Sequence, residues 1–223
     1  MSDISIISKY LAVTILIGGK STRFGSDKGL FQILDKPLIS YELETLTQLE
    51  YNIFLVAHSI KQVNNYLGKI DIGQLMAFII DDYSLLDKRN IRTPIIGLYS
   101  AFKELNKLGY EKTLVLPCDT PLIQKNVISL LIKESIGYDC CIPLWNNGLF
   151  EPLIAIYPIK KALEKSKEML MGNHYKLTEL LVKDWRINHI SIENSILPLD
   201  PHLLSFFNIN NLSELEMFKT KFK

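Results

Sequence analysis

The sequence predicts an α/β fold built around a doubly wound, mostly parallel sheet with helices on both faces. Short apolar segments rich in β-branched residues alternate with longer segments of helical periodicity, and this βαβα order favours parallel strands. Polar side chains directly follow several of the predicted strands, which is where ligands bind in such sheets. The chain has 223 residues, of which 48% are hydrophobic. It is therefore long enough for one such domain with a sizeable core.

Strands and helices alternate regularly in the first half of the chain. Leu43 and Leu46 recur at helical spacing after Pro37, which suits the first turn of a helix. Gly109 is typical of the residue that follows a helix, and Thr120 suits an N-cap. In chain order we predict a strand from residue 12, a helix over 37–49, a strand over 53–57, a helix over 60–67, a strand over 76–80, a helix over 94–108, a strand over 113–116 and a helix from 120 to about 135.

The second half of the chain has a more mixed pattern. An amphipathic helix over 159–171 is its clearest element. The remaining predictions, in chain order, are strands over 139–143 and 151–157, a helix over 175–182, a strand over 187–192, a short strand over 206–210 and a final helix opened by a capping box at 213–216.

A glycine-rich, cationic loop follows the first strand and is the strongest functional signal. Gly18 and Gly19 let the backbone turn tightly and bring its amides close to a ligand, while Arg23 and Lys28 add positive charge. Such a loop at the carboxyl end of a first strand suits a phosphate-rich ligand. Its spacing matches neither the P-loop nor the G-x-G-x-x-G dinucleotide fingerprint. The alternative is a glycine turn with solvated charges.

Asp119 is the acidic residue with the clearest functional signal in the sequence. It follows an apolar strand and precedes a predicted helix, so its carboxylate should lie at the ligand-binding edge of the sheet. Mg²⁺ in proteins is commonly held by one or two carboxylates together with substrate phosphates. The alternative is an aspartate that caps the helix or accepts bonds from loop amides.

Several motifs resemble a known family. Residues 16–28 read Leu-Ile-Gly-Gly-Lys-Ser-Thr-Arg-Phe-Gly-Ser-Asp-Lys and resemble the signature of Rossmann-like nucleotidyltransferases. Their Asp-Lys end is most similar to the MobA-type molybdenum cofactor guanylyltransferases. Residues 117–121 match the Cys-Asp-x-Pro motif of that family, residues 93–97 resemble its Gly-Pro-Leu-Ala-Gly segment, and residues 151–157 and 207–210 resemble two later elements.

This resemblance implies a set of site residues. For catalysis it implies Lys28, Arg23 and Asp119, with Mg²⁺ held by Asp119. For nucleotide binding it implies Leu16, Ile17, Gly18, Gly19, Lys28, Asp82 and Asp119. For the acceptor it implies Asn210 and, with less direct support, Asn208, which share one face of the predicted strand.

Some positions stay open. Asp81 is an alternative to Asp82, and either acid could be merely solvated. Ile17 stands where the family usually has alanine, and His58 lies where it often has an asparagine near the nucleotide. Residues 84–92 are the best candidate for a mobile loop with solvated charge, and residues 172–177 lack the arginine that is common there in the family.

The implied reaction transfers GMP from GTP onto the terminal phosphate of molybdopterin cofactor and releases pyrophosphate. We expect a nucleotide-binding half over about 11–135 and an acceptor-binding half over about 136–223 within one domain. Molybdoenzymes or their chaperones would receive the product. The alternatives are a CTP-using molybdopterin cytidylyltransferase, another nucleotidyltransferase acting on a sugar phosphate or similar small-molecule phosphate, and a non-catalytic nucleotide-binding regulator.

Composition argues against several other classes of protein. The formal net charge is +1, and no basic block indicates nucleic-acid binding. No apolar run approaches the length of a membrane span, and residues 1–10 lack a signal-peptide pattern; we therefore expect a cytoplasmic protein. The three cysteines fit neither a disulfide framework nor the spacing of a zinc site.

Overall fold

The computed structural model describes residues 9–18, 27–34, 36–86 and 91–209. In chain order its strands are β1 (Leu11–Leu16), β2 (Gln32–Ile33), β3 (Lys36–Pro37), β4 (Asn52–Ala57), β5 (Ala77–Ile80), β6 (Lys112–Pro117), β7 (Cys140–Leu144), β8 (Ala155–Pro158) and β9 (Ile187–Ser191). Its α-helices are α1 (Leu38–Thr47), α2 (Ile60–Tyr66), α3 (Pro94–Lys107), α4 (Lys125–Glu134) and α5 (Ile159–Met171).

A seven-stranded sheet in the order β5-β4-β1-β6-β8-β7-β9 forms the centre of the molecule. Its strands all run parallel to one another except β8, which pairs antiparallel with both β6 and β7. The strands β2 and β3 form a separate small hairpin. The prediction of a mostly parallel, doubly wound sheet is confirmed. The strands β4 and β5 lie on one side of β1, and the later strand β6 lies on its other side. This change of side creates a switch point beside the end of β1.

Side chains of β1 enter two cores, one on each face of the sheet. All six residues of the strand are buried, as expected for a strand covered on both sides. Val13 and Ile15 pack on the face covered by α1 and α4. Ala12 and Leu16 pack on the face covered by α3 and α5. The β-branched run therefore fixes the central strand and leaves the following loop at the edge of the sheet.

The predicted start of the fourth helix is wrong. Helix α4 begins at Lys125 rather than near Thr120. The Thr120 hydroxyl donates backwards to the carbonyl of Pro117 (3.1 Å), so it does not cap a helix. The N–H of Gln124 donates instead to the Ser205 hydroxyl, 81 residues away in sequence (3.0 Å). A distant side chain thus holds the backbone of Gln124, the residue that precedes the first turn of α4.

Three other elements differ from the predictions. The predicted helix over 175–182 is only a short 3₁₀ turn, Leu177–Leu180, and the predicted strand over 151–157 narrows to β8. Residues 207–209 form no strand; they follow a 3₁₀ turn, Leu204–Phe206. The predicted final helix lies outside the described residues. Within the described ranges, no helix has the length and apolar character needed to cross a lipid bilayer.

Candidate functional site

Four adjacent parallel strands end at one edge of the sheet, and each is followed by a candidate site residue. Across β5, β4, β1 and β6, these residues are Asp81, His58, Gly18 and Asp119. The sheet ladder extends slightly past the strand ends, because the N–H of Asp81 donates to Ala57 O (2.8 Å) and that of Gly18 to Val56 O (3.2 Å). The strand-end residues singled out in the sequence therefore form one row.

The Lys28–Asp119 ion pair lies where the sheet order reverses. Lys28 Nζ is 2.5 Å from Asp119 Oδ2, and the two side chains are 17% and 20% exposed. Lys28 opens a 3₁₀ turn after the glycine loop, and Asp119 follows Cys118, whose N–H donates to Leu16 O (3.2 Å). Two residues 91 positions apart thus meet in a half-buried setting beside the end of β1.

The turn that carries Lys28 is seated closely on a buried tyrosine. A Cβ added at Gly29 would lie 2.5 Å from the Tyr66 hydroxyl, a distance that real side chains do not tolerate. Tyr66 is fully buried. Glycine is therefore required at position 29 for the turn to pack directly against Tyr66. In this turn Lys28 lies next to Asp119.

A buried acid and a buried thiol lie near this pair. Glu42 of α1 is fully buried, and neither of its carboxyl oxygens has a hydrogen-bond partner among the described residues. Burial, and then the charge of Asp119, raise the pKa of Glu42 well above its ordinary value. Burial likewise raises the pKa of the Cys118 thiol. Burial therefore favours the neutral form of both groups.

A cavity of about 180 Å³ opens beside the ion pair, on the other side of β1. Its lining combines glycine and apolar surface with one carboxylate, one guanidinium and one imidazole: Leu16, Gly18, Val56, His58, Asp81, Arg92, Thr93, Pro94 and Gly97. Gly97 lies close to two of these residues, because a Cβ there would lie 3.2 Å from Leu16 Cδ2 and 3.4 Å from Asp81 Oδ1.

Asp81 and Asp82 occupy different environments although they are neighbours in sequence. Burial raises the pKa of Asp81 to about 6, although a hydrogen bond from the Tyr83 hydroxyl (3.3 Å) opposes this shift. Asp82 instead pairs with Lys103 (2.5 Å) of α3, and this hydrogen bond contributes most to lowering its pKa to about 2. Of the two acids left open by the sequence, Asp81 lines the cavity and Asp82 lies outside it.

The other nucleotide candidates divide between the cavity and the core. Leu16 and Gly18 line the cavity. The Ile17 side chain is buried in the core on the opposite face of the sheet, and its backbone N–H donates to Val56 O (3.0 Å). Gly19 and Arg23, both predicted at this site, lie outside the described residues.

The last described residues of the chain, 207–209, approach the site. The N–H of Ile209 donates to the backbone carbonyl of Asp119 (3.1 Å), and Ile209 is buried against the β2–β3 hairpin. Asn208 is the exposed residue immediately before it. The structure therefore brings Asn208 beside Asp119, whereas Asn210 lies outside the described residues.

Sequence reasoning missed two residues of this region. Arg92 was expected to be solvated surface, but it lines the cavity with Asp81. Gln62 attracted no interpretation, yet it is buried and contacts both His58 and Ile17. The apolar spacing of Ile60, Val63 and Leu67 indicates another face of α2, so the pattern offers no signal for Gln62. In the structure Ile60 is exposed and Gln62 is buried.

The donor set suits a hard divalent cation only in part. Among the residues that the structure describes, no group of three or more His, Cys, Asp and Glu side chains is arranged to hold a metal. Asp119 supplies one partly exposed carboxylate. This fits Mg²⁺, which takes few protein carboxylates and completes its shell with phosphate oxygens and water.

Comparisons with known proteins agree with this geometry. A probable molybdenum cofactor guanylyltransferase of Pyrococcus horikoshii is 33% identical over 211 residues, covering 93% of this chain and 98% of that protein. Another probable molybdenum cofactor guanylyltransferase, of Methanothermobacter thermautotrophicus, is 29% identical over 95% of this chain and 100% of that protein.

Solved structures support the same fold. The crystal structure of molybdopterin-guanine dinucleotide biosynthesis protein A from Archaeoglobus fulgidus superposes with a TM-score of 0.74 at 23% identity, covering 94% of this chain and 97% of that one. The sequence model of the MobA-like NTP transferase domain matches residues 13–182, which is most of the chain. This protein is therefore a member of the MobA-like NTP transferase family.

Proposed function

We propose that this protein is a molybdenum cofactor guanylyltransferase. In this reaction a terminal phosphate oxygen of molybdopterin cofactor attacks the α-phosphorus of GTP. A new phosphorus–oxygen bond forms, the bond between the α-phosphorus and its bridging oxygen breaks, and pyrophosphate leaves with the bonding electrons. The product is molybdopterin guanine dinucleotide, which molybdoenzymes or their chaperones would receive.

The Lys28–Asp119 contact carries this proposal. A lysine from the glycine loop and an acid from the end of β6 meet at the switch point of the sheet, 2.5 Å apart. Ligands of doubly wound sheets bind at this point. The names of the relatives then favour GTP and molybdopterin over the alternative nucleotides and acceptors.

Charge neutralisation is the main requirement of this reaction, because both reactants are anions. Two unit charges about 4 Å apart repel by about 1 kcal/mol in bulk water and by about 4 kcal/mol at an effective dielectric constant of about 20. Lys28 and the loop amides would hold the phosphates, and we include Arg23 and Gly19 of the same loop in this role. The acceptor phosphate is already nucleophilic, so a general base is not required.

We propose that Asp119 holds Mg²⁺ when the triphosphate is bound. The ion would supply Lewis-acid stabilisation of the charge that develops on the phosphate oxygens. In the structure Lys28 holds the same carboxylate, so Lys28 Nζ keeps Asp119 oriented at the sheet edge. On binding, Lys28 would then be able to donate to phosphate oxygens instead.

The cavity would bind the nucleoside. Leu16 and Gly18 contribute flat surface, and Asp81 contributes a carboxylate acceptor for the N–H groups on the edge of guanine. We propose this role for Asp81 rather than Asp82, because Asp81 lies in the cavity lining. Residues 11–135 would thus bind the nucleotide, and residues 136–223, with Asn208 and Asn210, would bind the acceptor.

Pyrophosphate release tests the proposal directly. Purified protein is incubated with Mg²⁺ and GTP, CTP or UTP, with and without purified molybdopterin cofactor. We expect release with GTP that requires both the cofactor and Mg²⁺. Release with CTP and not with GTP would identify a cytidylyltransferase. Nucleotide binding without release of pyrophosphate would indicate a regulator. Either result would contradict the proposal.

A further inference from the structure

Gln62 is a buried side chain whose amide, among the residues that the structure describes, bonds to groups at the site. It lies on α2 and is 1% exposed. Its Nε2 donates to the carbonyl of Ile17 (2.8 Å) and to Asp27 Oδ1 (2.9 Å). Its Oε1 accepts from the backbone N–H of His58 (2.9 Å) and lies 2.6 Å from His58 Nδ1. One amide therefore connects three separate parts of the site.

These contacts fix which way the amide points. The carbonyl of Ile17 and the carboxylate of Asp27 can only accept hydrogen bonds, so the NH₂ group of Gln62 must face them. Its oxygen must then face His58, where the backbone N–H confirms an acceptor. In the reversed amide, the NH₂ group would face the backbone N–H of His58, and Oε1 would face the oxygens of Ile17 and Asp27.

The orientation of the amide in turn fixes the tautomer of His58. Because Gln62 Oε1 is an acceptor, His58 Nδ1 must carry a proton to make the 2.6 Å contact. In a neutral imidazole the other nitrogen, Nε2, is then an acceptor. His58 lines the cavity together with Asp81. The residues that line the cavity therefore include two acceptors, the Asp81 carboxylate and Nε2 of a neutral His58, together with the Arg92 guanidinium as a donor.

The same amide also joins the two ends of the glycine loop. Ile17 immediately precedes Gly18, and Asp27 immediately precedes Lys28, so the two acceptors of Gln62 Nε2 flank the loop on either side. Asp27 is further held by Asn65, whose Nδ2 donates to Asp27 Oδ2 (3.1 Å). Unlike the bonds of Gln62, this bond is solvent-exposed, and it joins Asn65 to Asp27 alone among the described residues of the site.

We propose that Gln62 is a positioning residue with two roles. It joins Ile17 to Asp27, the residues on either side of the glycine loop, and it orients His58 so that Nε2 can accept a hydrogen bond from the nucleobase. This inference rests on the proposed function for its ligand. It adds that the site selects a base with adjacent N–H donors on its edge, as guanine has, through Asp81 and His58 together.

The test compares Gln62→Met with Asn65→Ala in the full-length protein. Methionine has nearly the shape of glutamine but forms none of its hydrogen bonds, whereas Asn65→Ala removes only the exposed bond to Asp27. Two-bond ¹H–¹⁵N spectra report the histidine tautomers, and His58→Gln identifies the His58 signals. We expect the Nδ1–H form in the wild type and in Asn65→Ala, and a mixture dominated by Nε2–H in Gln62→Met.

Affinity provides the second measurement. We expect the Kd for GTP with Mg²⁺ to rise about tenfold in Gln62→Met and less than twofold in Asn65→Ala, since a net hydrogen bond is commonly worth a factor of this order. A folded Gln62→Met protein with the wild-type tautomer and the wild-type Kd overturns the inference. Failure of the wild type to bind GTP instead overturns the proposed function, and the tautomer measurement still decides the role of Gln62.

Gln62→Glu keeps the proposal testable if the methionine variant does not fold. Its carboxylate can still accept from His58 but cannot donate to Ile17 or Asp27. We therefore expect the Nδ1–H tautomer to persist while GTP binding weakens. Loss of the Nδ1–H tautomer in this variant would overturn the assignment.

Discussion

The ends of β6 and β5 each carry an acid, but the two acids are held in opposite ways. Asp119 at the end of β6 is paired with Lys28 and partly open to solvent. Asp81 at the end of β5 lies in a cavity lined largely by apolar atoms and glycines, with a raised pKa. The first arrangement suits the charge of phosphates, and the second suits the neutral polar edge of a base. One sheet edge thus supports two kinds of recognition, separated by the width of two strands.

The largest expected effect comes from removing the Lys28–Asp119 ion pair at the end of β6. Lys28→Ala should lower the rate of pyrophosphate release about 10²–10³-fold, a loss typical of removing one fixed electrostatic group. The fold should persist, because the side chain lies at the sheet edge. Lys103→Ala is the matched control, since it breaks an equally short ion pair with Asp82 outside the cavity. Equal activity of the two variants would remove Lys28 from the chemistry.

Asp119→Asn should lower the rate of pyrophosphate release strongly and shift the Mg²⁺ dependence of the remaining activity to higher concentrations. The amide keeps the shape of the side chain but loses the charge that would hold a divalent cation. Rates measured across a Mg²⁺ titration check this expectation. An unchanged midpoint of the titration would contradict the metal assignment.

Asp81 at the end of β5 should make the free energy of unfolding depend on pH. Asp81 has a folded-state pKa of about 6, above its ordinary value of about 3.9. Between about pH 4 and pH 6 the folded state therefore binds more protons than the unfolded state, so stability falls as the pH rises. Solvent at the cavity mouth reduces the effect, and we expect about 1–2 kcal/mol from this group.

Urea unfolding of the wild type and Asp81→Asn at pH 4, 5, 6 and 7 isolates this contribution. The free energy of unfolding of Asp81→Asn relative to the wild type should increase by about 1–2 kcal/mol between pH 4 and pH 6 and then level off. A constant difference over this range would mean that Asp81 is not buried as described. Asp82→Asn serves as the control. Its lowered pKa makes the wild-type group stabilising, with a loss of stability only as the pH falls toward about 2.

Nucleotide affinity should separate the same two acids. We expect Asp81→Asn to raise the Kd for GTP about tenfold, because it replaces an acceptor in the cavity with an amide. Asp82→Asn should change the Kd less than twofold, since Asp82 faces Lys103. Isothermal titration calorimetry with each variant measures both values. The reverse order would restore Asp82 as the nucleotide acid.

The smallest expected effect concerns the buried acid near the ion pair. Glu42→Leu removes a carboxyl group that has no hydrogen-bond partner among the described residues. Because an unpartnered buried polar group is costly, this variant should be about 1 kcal/mol more stable at pH 7. Chemical denaturation checks the sign. A clear loss of stability would show that Glu42 is satisfied by a group or water at the site.

Local patterns in the sequence were sufficient to predict the central sheet. The β-branched run at 12–17, and the polar residues after each strand, correctly placed Asp119 and Gly18 at one edge. These predictions succeeded because burial on both faces imposes a pattern that is visible within a few residues. The contact between Lys28 and Asp119 does not follow from this logic alone, because Lys28 lies in a 3₁₀ turn and not at the end of a strand.

Contacts between distant residues explain what could not be predicted. The start of α4 depends on Ser205, and the environment of Asp82 depends on Ser100 and Lys103 of α3. The position of Asp82 is therefore fixed by contacts to residues of α3 that lie 18 and 21 positions further along the chain. The role of Gln62 likewise becomes visible only when Ile17 and Asp27 are seen on either side of it.

The main-chain bond from Ile209 to Asp119 has a consequence for how the protein is made. Translation proceeds from the N-terminus, so the sheet edge with Lys28 and Asp119 leaves the ribosome well before Ile209 does. A nascent chain stalled before that point would contain the phosphate-binding side without the segment that packs beside it. Completion of this site therefore waits for the synthesis of Ile209, which follows Asp119 by 90 residues.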